Sequence, residues 1–452
     1  MTKSLVLILL VVCAAGCRSL PAPGPIAGES KATVITPNGA ASGPRASTLF
    51  DQAIGNAAEG AHIESVIQTI GRHAGVPLMT GNSVQILIDG PEMFAAIRQS
   101  IAAATMSVHV ETYIFSDDDL GRDFADLLMR KSREGVAVRV IYDAMGSVAT
   151  PSAFFDSMRT AGVEVRQFHP LATSLRKLNN RDHRKIIVVD GRIGYTGGAN
   201  ISGAYSKASI SKPGPEKGLT TAWRDTQVEI RGTAVHELQT LFFQAWRRAD
   251  GTVPDRDDDG YFPALPAEGN DIVAIVVNDS DDNRHRKFYA STLAAIRLAS
   301  RRVWITQAYF APTHDMLKAL EQASARGVDV RLVVPGFTDS SPILYDSHRT
   351  FDRLLSHGIR IFEEREALLH AKTMVVDSVV STVGSANLDM RSFIHNNEAT
   401  ALIVSQTVGE KMEAQFARDE SRTHEITLKE WRSRPWTDRL KEKASGLLHY
   451  WL

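Results

Sequence analysis

The sequence predicts an α/β fold of two similar lobes, each a mixed β-sheet flanked by helices, related by a pseudo-two-fold. Three observations carry this expectation. At 452 residues the chain exceeds what one hydrophobic core usually serves. Strand-like apolar runs alternate with helical stretches, the pattern of sheets covered on both faces. The alternation also plays twice, and each round ends in the signature H-x-K-x-x-x-x-D: His183, Lys185 and Asp190, then His370, Lys372 and Asp377.

In the first half the pattern gives a strand over 85–88, a helix over 91–104, a strand over 108–115, a helix within 121–135 and a strand over 136–142. A further helix follows, then a strand over 163–168. The second half replays this with helix 287–300, strand 303–310, helix 315–327, strand 328–334, helix 343–357 and strand 359–362. The correspondence is visible in Gly135-Val136-Ala137-Val138-Arg139-Val140 against Gly327-Val328-Asp329-Val330-Arg331-Leu332. A single duplication of this size implies two lobes, 61–250 and 261–425, joined by an acidic, turn-rich linker over 251–260. A helix over 61–74 leads into the repeat.

The first residues have the grammar of export. Lys3 precedes an apolar run, Leu5 to Val12, too short to span a bilayer; Ala14-Ala15-Gly16 is a small-residue cleavage site ahead of Cys17. Residues 1–16 are expected to be a signal peptide, and Cys17 resembles the acylated cysteine of bacterial lipoproteins. Cys13 would leave with the signal, so the mature chain could hold no internal disulfide. Residues 17–60, rich in Pro, Gly, Ala and Ser from Arg18 to Ser47, are expected to be the lipidated cysteine and a flexible tether. The protein is thus expected in the cell envelope, membrane-anchored and facing the periplasm or exterior. Residues 426–452 form a basic-aromatic tail with Trp431, Trp436, Leu440, Leu447, Leu448, Tyr450 and Trp451. That tail either packs onto the body or lies in a membrane interface. The polar stretch 204–221, with Lys207, Lys212 and Lys217, is an insertion that carries no reading.

Composition is that of a globular protein, 43% hydrophobic and 23% charged, and the formal net charge of -1 provides no global basic field. Charge-driven nucleic-acid binding is not indicated, and no nucleic-acid partner is expected.

The chemistry lies in the duplicated signature. Alternation along a strand puts His183 and Lys185 on one face, and likewise His370 and Lys372. Two histidines and two lysines suit a phosphodiester exchanged through a covalent intermediate: one ring attacks phosphorus, the other protonates the leaving alkoxide, and the lysines offset the oxygen charge. With two lysines present no divalent metal is required and no cofactor is implied. Asp190 and Asp377 complete the motif and are counted with its catalytic set. Their odd spacing from the histidines points them elsewhere, to holding local structure. Each motif precedes a small-residue turn and an amide, Gly197-Gly198-Ala199-Asn200 and Gly384-Ser385-Ala386-Asn387; such a turn admits a phosphate to the backbone, and Asn200 and Asn387 can donate to it. Asp225 and Glu398, at the start of later strands, are candidates to orient the imidazoles. Glu111 and Tyr113 share a strand face and are candidates to line the pocket.

These residues resemble the phospholipase D superfamily. Within it, Glu111-Thr112-Tyr113-Ile114-Phe115, Asn180-Arg181-Asp182-His183-Arg184-Lys185, Gly197-Gly198-Ala199-Asn200-Ile201, Leu369-His370-Ala371-Lys372-Thr373 and the stretch from Gly384 to Phe393 are similar to bacterial cardiolipin synthases. The resemblance runs from about Gly81 to Arg418. It implies phosphatidyl transfer to an alcohol, with membrane phospholipids as partners: two phosphatidylglycerols, or one plus phosphatidylethanolamine, giving cardiolipin. It also nominates His183 as nucleophile. Hydrolysis by water, as a phospholipase D or a nuclease, and a catalytically silent envelope scaffold are the alternatives. Most of that family holds the membrane differently from this lipoprotein-like start.

Overall fold

The chain takes up regular structure earlier than the sequence suggests. In the computed structural model, which describes residues 32–55, 60–170, 179–209, 222–253, 260–280 and 286–451, β1 (Val34–Thr36) and β2 (Gly39–Ala41) form a hairpin followed by α1 (Gly43–Ile54). Val34 lies in parallel register with Leu78, and Ala46, Phe50, Ala53 and Ile54 are buried in the core of the second lobe. The expected tether over 17–60 is therefore corrected for 34–54. Its Pro and Gly residues serve a turn and a helix start, with positive φ at Gly39 and Gly43. The buried apolar residues fall at i, i+4, i+7 and i+8, one helical face. The signal region and Cys17 lie outside the described residues, as do 254–259 of the linker and 210–221 of the insertion. After α2 (Gly60–Ala74) comes the repeat.

The first lobe is built from β3 (Leu78–Ile88), β4 (Ser107–Thr112), β5 (Ala137–Asp143), β6 (Glu164–Phe168), β8 (Ile186–Val189), β9 (Ile193–Gly197) and β11 (Thr226–Arg231). Their spatial order is β6-β5-β4-β8-β9-β11-β3, parallel from β6 to β4 and antiparallel onward. The second lobe repeats it with β12 (Asp271–Asn278), β13 (Arg302–Gln307), β14 (Asp329–Pro335), β15 (Arg360–Glu364), β17 (Lys372–Val376), β18 (Val380–Gly384) and β19 (Asn396–Val404), in the order β15-β14-β13-β17-β18-β19-β12. The parallel strands are joined by helices, the crossover connection that parallel pairing requires. In the first lobe these are α4 (Asp119–Arg133) and α5 (Ser152–Thr160); in the second, α8 (His314–Ala325) and α9 (Ser341–Ser356).

The lobes join where β3 pairs antiparallel with β12, through Val273 and Met79. A shared apolar cluster fills the seam, drawing Ile186, Val188, Val228 and Ile230 from one half and Val375, Val383, Ala401 and Ile403 from the other. The tail packs onto the body, one of the two expectations for it, and leaves apolar side chains in the open. β20 (His424–Ile426) adds to the edge of β15, Trp431 is buried, and α12 (Trp436–Gly446) packs on α9, yet Trp436, Leu440, Leu447 and Leu448 stand exposed. Among the described residues no helix is long and apolar enough to cross a membrane.

Because Phe50 is fully buried, Phe50→Ala is expected to cost about 3–5 kcal/mol, a large core truncation. Denaturant unfolding measures it; a change under about 0.5 kcal/mol would return this segment to a tether.

Candidate active site

Two short parallel bridges cross the lobe boundary and build the site. β7 (Arg181–Asp182), just before the first motif, pairs with Asn396 and Asn397 at the start of β19. β16 (Leu368–Leu369), just before the second motif, pairs with β10 (Trp223–Arg224). Each bridge continues by one hydrogen bond into a motif: the His183 amide donates to the Asn397 carbonyl at 3.0 Å, and the His370 amide donates to the Arg224 carbonyl at 2.8 Å. Each histidine is thereby set beside the residue that follows the partner segment, an acid from the opposite half. His183 Nδ1 lies 3.0 Å from Glu398 Oε2, and His370 Nδ1 lies 2.8 Å from Asp225 Oδ2. Sequence reading named both acids as orienting groups; the exchange between halves is a tertiary fact.

With Nδ1–H donating to a carboxylate, Nε2 is the nitrogen left bare for chemistry in each ring. Lys372 Nζ also approaches His370 Nδ1, at 2.9 Å. One nitrogen cannot donate to Asp225 and accept from Lys372 together, and the shorter carboxylate contact decides the tautomer. Both lysines donate to the carbonyl of their own motif histidine at 2.5 Å, Lys185 to His183 and Lys372 to His370. Their stems are thus held to the motif.

Burial sets the charge states. It pushes the His183 ring down to about 4 against the pull of Glu398, and pushes His370 well below its ordinary range, with Lys372 and Lys185 adding to the effect. Burial thus disfavours the charged form of both rings. Burial also brings Lys185 down to about 7 and Lys372 to about 8, and raises Asp225 to about 6 against Lys372. Glu398 is raised by burial but pulled further the other way by His183, Lys185 and the Ser385 hydroxyl, so it lies below the usual carboxyl range.

The histidines open onto one cleft of about 210 Å³, which Tyr113, Asn200 and Asn387 also line. Tyr113 stands edge-on to His183 at 5.1 Å between ring centres, with Lys185 Nζ 5.4 Å from its centre. The Asn200 side chain accepts from the Ile114 amide and donates to the Tyr205 hydroxyl.

Three sequence expectations are corrected. Asp190 and Asp377 are not in the cleft. Both adopt positive φ at the far end of the motif strand, where Asp190 accepts from the amides of Thr105, Met106 and Ser107, and Asp377 from those of Ser300, Arg301 and Arg302. They pin the start of β4 and β13, the structural role their spacing indicated, and leave the catalytic set. Glu111 does not line the cleft but lies fully buried beneath it, 3.8 Å from Arg184. The small-residue turns serve the acids: a Cβ on Gly198 would stand 2.1 Å from Asp225 Oδ1, and Ser385, its counterpart, donates to Glu398 at 2.5 Å.

The cleft also holds residues that sequence reading missed: Arg181, Tyr205, Trp223, Tyr309, Asp339, Asp389, Arg391 and Asn396. Three had a signal. Arg181, Trp223 and Asn396 lie two residues before His183, Asp225 and Glu398, so the alternation used downstream of the motif would have found them upstream. Tyr205 sits in the stretch taken as an insertion, in a 3-10 turn that sets its hydroxyl 3.4 Å from His370 Nδ1. Arg391 begins a π-helical turn, Arg391–His395, a local irregularity no pattern announces.

Known proteins resemble this chain over most of its length. A family model described as cardiolipin synthase, PLD-like domain, matches residues 97–208 and 292–420. The chain belongs to this family. It is 33% identical to the cardiolipin synthase of Halalkalibacterium halodurans over 86% of this chain and 76% of that one. It is 34% identical to the major cardiolipin synthase of Bacillus subtilis, over 81% and 75%. Among solved structures, a phosphatidylserine synthase of Haemophilus influenzae shares the fold with TM-score 0.65 and 15% identity, covering 86% of this chain and 99% of that one. As a member of the cardiolipin synthase family the chain is a phospholipase D-superfamily transferase, and its duplicated lobes are that superfamily's architecture.

The halves of this family member differ beneath the histidines. The first holds Glu111, Asp143, Arg181, Asp182 and Arg184, all buried. Motif and strand register place Thr306, Pro335, Leu368, Leu369 and Ala371 at the matching positions. Burial and Asp182 push Glu111 well above the carboxyl range, and burial raises Asp182 to about 6.

Arg184→Met strands these carboxyls and is expected to cost about 3–5 kcal/mol by thermal or denaturant melting. kcat/KM is expected to rise as pH climbs through about 6, where Asp225 ionises, and to fall between about 7 and 8 as Lys185 and Lys372 lose their protons. In Asp225→Asn the acid limb should vanish and kcat drop by about 10²–10⁴, the scale of general acid–base catalysis. A profile that keeps its acid limb in that variant would show that Asp225 does not control it.

Proposed function

We propose that the protein transfers a phosphatidyl group from one phospholipid to the hydroxyl of another, making cardiolipin, with phosphatidylglycerol as donor and acceptor or with phosphatidylethanolamine replacing one of them. The observation that carries the reading is the pair of imidazoles, one from each half, each with Nδ1 on a carboxylate and both lining one cleft beside two lysines.

His183 Nε2 attacks phosphorus, and the bond to the headgroup alcohol breaks as that oxygen takes a proton from His370. For this His370 must be protonated, and the arriving phosphodiester supplies the negative charge that offsets Lys185 and Lys372. Asp225 accepts from the imidazolium and steadies it. In the second half-reaction the incoming hydroxyl gives its proton to His370 and attacks the phosphohistidine, releasing His183. Lys185 and Lys372 stabilise the non-bridging oxygens throughout. Water as acceptor would give phosphatidic acid by the same steps.

The finer placement is also a proposal. Residues 1–16 are read as an export signal and Cys17 as an acylated anchor, which puts the enzyme on the outer side of a membrane, beside its substrates.

The test is a lipid-product assay on labelled phosphatidylglycerol vesicles, with and without added glycerol or phosphatidylethanolamine. Cardiolipin that reverts on addition of glycerol is the expected result; phosphatidic acid alone would replace the synthase with a hydrolase. His183→Ala and His370→Ala should each abolish turnover with unchanged melting temperature. Activity above a few per cent of the parent in both would sink the two-histidine scheme.

A further inference from the structure

The last helix is amphipathic the wrong way round for a helix in water. α12 buries Glu442 and Ser445 against the body and presents Trp436 and Leu440 outward, with Leu447 following at its C-cap, 73%, 58% and 62% exposed. These fall with Lys443 at i, i+4, i+7 and i+11, a single face, and Leu448 extends it. A solvated helix of this length would show the opposite pattern, so this face is built to be covered.

Its position says by what. α12 lies over the first turns of α9, with Lys441 Nζ 5.4 Å from the Tyr345 ring centre and His449 Nδ1 2.6 Å from Asp346 Oδ2. α9 begins two residues after Asp339, which lines the cleft, and Tyr450 stands 5.5 Å from His395, in the same π-helical turn as Arg391. The tail is thereby tied to two segments of the second lobe that run into the cleft lining. On the side of the first lobe, Met145 and Val148 are also exposed, on the loop leaving β5. That loop is tied to the cleft residue Tyr113 by a hydrogen bond from the Ser147 hydroxyl to the Tyr113 carbonyl. Among the described residues only Met106 is a large exposed apolar side chain away from this face.

We infer that this face, with α12 at its centre and the Met145–Val148 loop across the cleft, is the surface on which the enzyme rests on an anionic lipid bilayer. The inference rests on the reading of phospholipids as substrates. Trp436, Leu440, Leu447 and Leu448 enter the interfacial layer, as tryptophan and leucine beside cations do. The exposed Arg439 and Lys443 beside them meet anionic headgroups, the complement of their charge. The cleft then opens toward the bilayer, and a headgroup reaches the histidines without its acyl chains leaving the lipid.

The test uses the full chain carrying Cys17→Ala, so that no acyl anchor contributes, with and without Trp436→Ser, Leu440→Ser and Leu447→Ser together. Sedimentation with vesicles of phosphatidylglycerol and phosphatidylcholine should show at least a tenfold loss of partitioning in the triple variant. Turnover of vesicle phosphatidylglycerol should fall alongside it, while turnover of monomeric dihexanoyl phosphatidylglycerol and the melting temperature stay unchanged. Equal partitioning of the two proteins would overturn the inference. So would a shift from dimer to monomer in sedimentation velocity without lipid, since a second copy would then be what covers the face. If the parent turned over neither lipid, the proposed function would fail, and the vesicle partitioning would still decide the docking surface.

Discussion

Two carboxylate–imidazole contacts that cross the lobe boundary are the constraint on which the rest of the architecture depends. A histidine near a phosphate is a poor nucleophile unless its second nitrogen is held and its developing charge answered. Here the answering acid comes from the other half in both cases, His183 to Glu398 and His370 to Asp225. The reciprocal bridges β7–β19 and β10–β16 are the backbone device that makes those contacts, each fixed further by the histidine's own amide. Neither lobe alone contains a complete site. The apolar seam that joins the sheets holds the two halves in the registration on which the distances at the histidines depend.

Duplication explains the shared plan, and the departures from symmetry show where the halves specialised. The first half rests its motif on buried charges around Arg184, whereas the second rests on Leu368, Leu369 and Ala371. A buried ion set is costly to desolvate and is retained where it fixes a conformation. Around the cleft, the first half contributes Tyr205 from a 3-10 turn and the second contributes Arg391 from a π-helical turn, each in the stretch that follows an equivalent asparagine. These departures give the two imidazoles unequal surroundings.

The first and last described segments are drawn onto the second lobe. The hairpin and α1 add to the second lobe's core, so the body begins near Val34 and any tether is shorter than composition suggests. At the other end, Trp431 anchors the tail while α12 turns its apolar face away from the body. The cleft lies past the ends of the parallel strands, where Tyr113, Tyr309 and Asp339 follow β4, β13 and β14, the edge where open α/β sheets place their ligands.

The sequence by itself determined the two-lobed α/β plan, the order of strands and helices in each half, and the histidines, lysines, asparagines and acids of the site. Period-two and period-3.6 patterns, and a signature repeated at matching positions, are local properties legible along one line of residues. It also held, unread, the upstream positions Arg181, Trp223 and Asn396, which share the alternation of the residues after them. Composition misled at 34–54, because Pro, Gly and Ser describe a hairpin and helix start as well as they describe a linker. Only the tertiary structure decided that each acid serves the other half's histidine, that Gly198 is small to admit Asp225, that Glu111 lies under the cleft, and that Tyr205 and Arg391 enter it. Those facts depend on which segments meet across 145 to 215 residues of chain. Pairing at that range is settled by the packing of two sheets and not by any local preference.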